Sequence, residues 1–295
     1  MNKDINRPPS AWSMIVAQFK KDPFAIACLV VFLAIVLTSF ILGSLVDEEA
    51  LTRLNRDPRT WDNPPLTGHG LLGTDARGRD MLGILLLSAR NSLAISLIVT
   101  PASFAIGYTV GLIAGFFGKF VDLAILRFID FWSMVPNIMI IIAMVAVLPV
   151  WGVREFIILM IILGWFSGAR IMRARVLQES AKDYILASKT LGTPNYKIIF
   201  KKVLPNVTSI MMVSFVIGLA NSIGMETGLT VIGYGLPSTT PSLGRLISYA
   251  TRPTIMQDRM WQWMPAVVLI VVTTICIYGI GNAVRRAVNP RQRRQ

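Results

Sequence analysis

Stretches without a formal charge recur along the chain at lengths that match a bilayer. Residues 24–46, 91–118, 203–225 and 260–284 contain no Asp, Glu, Lys or Arg, and a hydrocarbon core of about 30 Å takes roughly 20 helical residues to cross. Each stretch predicts one span. Between Phe131 and Ala169 the charges are Arg154 and Glu155; as one helix rising about 1.5 Å per residue, that segment would overshoot the membrane. It is predicted to fold back as a hairpin broken at Pro149, Gly152 and the Arg154–Glu155 pair. Its second arm runs from Phe156 to Met172, so the chain has six spans. The first apolar run exceeds the usual length of a signal peptide and shows no small-residue cleavage site, which predicts a retained span.

The polar pieces differ in kind. Trp12, Ile15, Val16 and Phe19 fall at i, i+3, i+4 and i+7, the spacing of a helix lying flat on a membrane surface. The predicted organisation is a cytoplasmic N-terminal segment 1–23, a first span 24–46 and an extracytoplasmic loop 47–90. A membrane core 91–284 follows, with a cytoplasmic loop 173–206 and an extracytoplasmic loop 226–260, and then a basic tail 285–295. The fold class is all-α and polytopic.

Composition narrows the function classes. The 295 residues are 54% hydrophobic and 15% charged, with a mean hydropathy of +0.59, against about 25% charged in a soluble domain. An ordinary soluble enzyme is excluded. One histidine, His69, and two cysteines, Cys28 and Cys276, leave a zinc site, a haem pocket and a Cys–His nucleophile short of parts. The net charge of +13 has a topological reading. With the N terminus inside, nineteen of the 29 basic and six of the 16 acidic residues lie on the cytoplasmic side, leaving ten of each outside. Basic residues beside spans mark the cytoplasmic face, so the excess records orientation and no nucleic-acid partner is expected.

A phosphate loop is missing. Gly118-Lys119 has Ile113 where the motif needs its first glycine and Phe120 where it needs Ser or Thr. The chain is therefore expected to hydrolyse no ATP by itself and to hold no cofactor. Gly107, Gly111 and Gly115 repeat at four-residue steps, a helix-packing pattern. Among Arg127, Asp130 and Glu226, a glutamate near a span end reads as a structural partner rather than a proton relay.

The long inner loop carries the strongest signal. Asp183 can cap a helix through Leu191, Gly192 suits a left-handed C-terminal turn, and Thr193-Pro194 opens a second helix with Ile198, Ile199 and Val203 on its apolar side. Leu204-Pro205-Asn206 then redirects the chain. By themselves these signals fit any helical hairpin.

The run from Leu186-Ala187-Ser188 through Gly192 to Leu204-Pro205 resembles the EAA loop of ABC-importer membrane subunits. That pattern is Glu-Ala-Ala, three residues, Gly, nine residues and Ile-x-Leu-Pro. The spacing is met; Leu186, Ser188 and Lys202 replace the first Glu, the second Ala and the Ile. Leu72-Gly73-Thr74-Asp75, Gly78-Arg79-Asp80, Ser88 to Leu93, Ala114 to Gly118 with Asp122, Glu226 to Leu229, Pro241 to Gly244 and Asn289-Pro290-Arg291 resemble the dipeptide and oligopeptide branch of that family. The chain is most similar to its C-type permease subunit, over residues 10 to 291.

The resemblance implies the type I ABC importer permease fold in the cell membrane, with both termini cytoplasmic. It implies a second, B-type permease subunit, two ABC ATPase subunits carrying ATP and Mg, an extracytoplasmic substrate-binding protein, a peptide substrate and surrounding lipid. Tyr184, Leu186, Ala187, Ser188, Gly192, Tyr196, Leu204 and Pro205 would form the ATPase-coupling loop. Met211, Met212, Asn221, Ser222, Met225 and Glu226 are the candidates for lining the path, although packing accounts for each methionine as well. Trp261 and Trp263 are expected in an aromatic belt at the membrane surface. A nickel or other small-solute importer of the same branch stays open, as does a channel or carrier acting alone, which would need no ATPase-docking loop.

Overall fold

The structure is a computed structural model and describes residues 22–46, 57–67 and 70–288. The predicted surface helix at 11–20, His69, the start of the first loop and the end of the basic tail lie outside the described residues. The main elements are α1 (Pro23–Leu45), α2 (Met81–Phe117), α3 (Lys119–Ser133), α4 (Asn137–Val147), α5 (Val153–Ser180) and α6 (Asp183–Thr190). They continue with α7 (Asn195–Ile198), a π-helical turn (Ile199–Val203), α8 (Leu204–Val231), α9 (Leu243–Ile247), α10 (Pro253–Asp258) and α11 (Met264–Val288).

Helices α1, α2, α5, α8 and α11 lie in segments long and apolar enough to cross a membrane, and α3 with α4 forms a pair bent by 68° that counts as a sixth span if the two arms cross together. The hairpin turn falls between α4 and α5, at the predicted break. The second break, ahead of Pro136, was not predicted from the apolar pattern; a residue preceding proline is driven out of helical conformation. The arm also begins at Lys119 rather than Phe131.

Charge misplaced another boundary. Helix α2 starts at Met81 instead of Asn91, where the side chain of Asp80 accepts the Gly83 N–H at 2.8 Å. Arg90, whose charge ended the apolar run, is half-buried and its Nη1 donates to the Gly43 carbonyl at 3.2 Å. At the far end α8 continues to Val231, beyond the predicted limit at Met225.

The most extensive helix pairing joins α2 to α5. Within hydrocarbon, helices gain little from excluding water, so close packing must hold them together. A methyl at Gly107, Gly111 or Gly115 would lie 2.5, 2.4 or 2.7 Å from the carbonyl oxygen of Trp165, Ala169 or Arg173, respectively. The three glycines thus admit successive turns of α5. Below them Arg173 grips Asp122 of α3 through two bonds of 2.5 Å.

Loops 57–80 and 232–263 meet at one end of the bundle and form a cap. Asp75 organises the first, accepting from the backbone N–H groups of Arg77 and Arg79 at 2.9 and 3.0 Å and from the Arg79 guanidinium at 2.7 Å. Asp62 joins the two loops through Arg259 at 2.8 Å and Gln262 at 2.9 Å. Trp261 donates its indole N–H to the Thr74 carbonyl at 3.1 Å. A long-range contact inside the cap holds this side chain.

Candidate functional site

The inner loop and a groove along the spans contain most of the predicted site residues. In the loop, Ile185, Ile198 and Val203 are buried with Met172 and Val176 of α5, Phe116 of α2 and Val207 of α8. This small core fixes α6 and α7 to the ends of three spans. The chain reverses between them at Gly192, with φ +74°. The Gly192 N–H reaches the Lys189 carbonyl at 3.1 Å and the Thr193 N–H reaches the Ser188 carbonyl at 3.1 Å, the two bonds of a Schellman motif. No atom lies within 4 Å of a methyl built at Gly192, so the backbone angle alone calls for glycine there.

Polar contacts lock the near side of the loop. Tyr184 donates its hydroxyl proton to Glu179, and Asn206 Nδ2 donates to the Tyr184 oxygen at 2.9 Å. Partial burial and then the Glu179 carboxylate push the Tyr184 hydroxyl up to about 12, so it remains a donor across the physiological range. Buried Ser188 donates to the Tyr184 carbonyl at 2.6 Å and accepts from Lys202. Lys202 is thus the partner of Ser188, at two of the three positions where this chain departs from the EAA pattern. Leu204 and Pro205 form the first turn of α8, with Leu204 packed against the small core.

The far side points away from the chain's own core. Leu191 is 83% exposed, Phe200 63% and Tyr196 61%. Leu186 and Ala187 are exposed beside them.

A groove of about 610 Å³ runs along α2, α5 and α8 to the break between α3 and α4. Asn221, Ser222 and Met225 line it as predicted candidates. Met211 and Met212 do not: Met211 packs against the core beneath the inner loop, and Met212 packs against Val284 and Ala287 of α11. Glu226 does not reach the groove either. It is fully buried at the cap end, accepting from Ser92 and Thr230 at 3.0 Å each. One helical position beyond Met225 turns its side chain inward.

Sequence reasoning missed other groove residues. Thr100 and Ser222 share a 2.8 Å hydrogen bond across it, while Ser103, Asn137, Ser167 and Arg170 also line it. Ser92, Ser96, Thr100 and Ser103 recur on one face of α2, a polar stripe that could have been read from the sequence. Arg170 holds Asp130 at 3.0 Å and Ser133 at 3.0 Å. Its link to the groove depends on folding back the α3–α4 arm.

Residues 107–294 match the family described as binding-protein-dependent transport system inner membrane component. The oligopeptide transport system permease protein OppC of Lactococcus lactis is 38% identical over 278 residues, covering 94% of each chain. AmiD of Streptococcus pneumoniae, an oligopeptide transport system permease protein, is 31% identical over 97% of this chain and 91% of its own. OppC of Bacillus subtilis is 30% identical with the same coverage. Among solved structures, a chain of the inward-facing MetNI methionine ABC transporter superposes with a TM-score of 0.55 at 19% identity, covering 71% of this chain and 98% of that one; this likeness bears on the fold. With the matched region covering the bent arm, the inner loop, the α5 and α8 sides of the groove and the second cap loop, the chain belongs to the family of inner membrane components of binding-protein-dependent transport systems.

Proposed function

We propose that this chain is one membrane half of an ATP-driven oligopeptide importer. It pairs with a second permease subunit, takes peptide from an extracytoplasmic binding protein, and is moved by two ATPase subunits, one of which docks on the loop 173–206. The single observation that carries the coupling role is the two-sided build of that loop. Ile185, Ile198 and Val203 anchor it in a core shared with three spans, while Leu186, Leu191, Tyr196 and Phe200 stand exposed on its other side. A displacement of the exposed side would therefore be transmitted to α2, α5 and α8 together, which also line the groove. The peptide assignment is supported by the names of the relatives, OppC and AmiD. The excess of basic residues assigns the loop to the cytoplasm and the cap to the outside.

Reconstitution tests the reading. The four-subunit complex in proteoliposomes, supplied with its binding protein and ATP, should accumulate oligopeptides in preference to nickel or sugars. Uptake of nickel without peptide uptake would reject the peptide assignment, and uptake without ATPase subunits would reject the importer assignment.

A further inference from the structure

The cap encloses a pocket of about 210 Å³ between the two loops, above the first turns of α2. Arg77, Arg79, Arg245 and Arg252 line it, against one acid, Asp75. Asp75 is committed to Arg79 through two guanidinium nitrogens, at 2.7 and 2.5 Å. The side chains of Arg77, Arg245 and Arg252 have no ion pair or hydrogen bond among the described residues, and the lining carries a formal charge of +3. Such concentration stands out on a face where the remaining residues are six basic against nine acidic. The pocket also borders Ser88, whose fully buried hydroxyl has no hydrogen-bond partner among the described residues.

Guanidinium groups present planar donors that match a carboxylate. The volume lies below the roughly 300–1,000 Å³ of pockets that enclose small-molecule ligands, so it suits one short side chain better than a peptide. It also lies at the cap, whereas the groove lined by the candidate path residues Asn221, Ser222 and Met225 lies deeper along α2, from Val99 to Phe104. From the charge, size and place of this pocket we infer that it receives an acidic side chain of the extracytoplasmic binding protein and orients that protein on the permease. The inference rests on the importer reading and names the docking contact within it.

The test uses the assembled complex in nanodiscs and the binding protein that stimulates its wild-type ATPase, loaded with a free-acid pentapeptide or with its C-amidated form. Arg245→Ala combined with Arg252→Ala should raise the half-saturating concentration of binding protein by about tenfold or more, since such charge contacts act through affinity and encounter rate. Salt dependence should flatten, and turnover at saturating binding protein should stay at the wild-type value for both peptides. Arg245→Lys with Arg252→Lys should recover part of the affinity. An unchanged half-saturating concentration would overturn the assignment. So would a defect confined to the free-acid peptide, because the pocket would then hold the substrate's carboxylate. Should the double variant fail to assemble, Arg77→Glu on the exposed loop carries the same readings. If no binding protein stimulates even the wild-type complex, the importer reading itself fails, a result distinct from wild-type stimulation that the arginine variants leave unaltered.

Discussion

Ser92 of α2 and Glu226 of α8 meet in the interior, with the serine hydroxyl donating to Glu226 Oε2 at 3.0 Å. Ser92 in turn accepts the Leu243 N–H at 3.1 Å, and Thr230 donates to the second carboxylate oxygen. Two spans and the returning cap helix α9 are therefore joined through one buried acid.

Replacing Glu226 with alanine strands hydroxyl donors in a buried site. An unsatisfied buried polar group costs about 1–3 kcal/mol. The thermal midpoint of the purified complex, followed by tryptophan fluorescence, should fall for Glu226→Ala and fall less for Glu226→Gln. Equal midpoints for wild type and Glu226→Ala would show that the network contributes nothing to stability.

The two glycine classes should fail differently. Gly111→Val drives a side chain into the Ala169 carbonyl at 2.4 Å, so the α2–α5 pair cannot close and folded yield should collapse. Gly192→Val meets no neighbour but must adopt φ +74°, a penalty of roughly 1–2 kcal/mol for a residue with a β-carbon. Membrane insertion should stay near normal while coupled transport drops sharply. Gly192→Asn, which tolerates that conformation better, should retain more transport. Quantifying inserted protein and uptake from the same cells checks both halves.

On the inner loop, burial predicts which substitutions damage the subunit and which damage only assembly. Ile185→Asp places a charge in the small core and should destabilise the chain outright. Leu191→Glu and Ala187→Trp alter exposed positions and should leave the isolated subunit intact. Co-purification should show loss of the ATPase subunits from the latter pair. Retention with wild-type coupled uptake would remove the loop from its proposed role.

Orientation has a direct chemical test. With Cys28 and Cys276 replaced, single cysteines at Thr60, Asn195 and Gln295 should divide into one residue labelled by an impermeant maleimide in intact cells, at position 60, and two labelled only after permeabilisation. Labelling of position 195 in intact cells would invert the bundle and move the arginine pocket to the cytoplasm.

The apolar pattern by itself determined that the chain is a membrane-spanning helical bundle, because the hydrocarbon core demands long charge-free helices whatever they pack against. It located the α4–α5 turn and the inner hairpin, where Pro149, Gly152 and Gly192 interrupt helices through local backbone chemistry. Its errors fell where a distant partner decides the outcome. Arg90 resembled the end of a loop, but the folded chain brings the Gly43 carbonyl to it as an acceptor. The pattern along the span could not separate the facing of Met211, Met212, Met225 and Glu226. Tertiary packing turns Met225 to the groove and the others away from it, since facing on a helix surrounded by neighbours depends on which helices they are. The gathering of four arginines from two loops around one pocket is a consequence of tertiary structure for the same reason: charge can be counted along a chain, but its local concentration depends on how separated segments fold together.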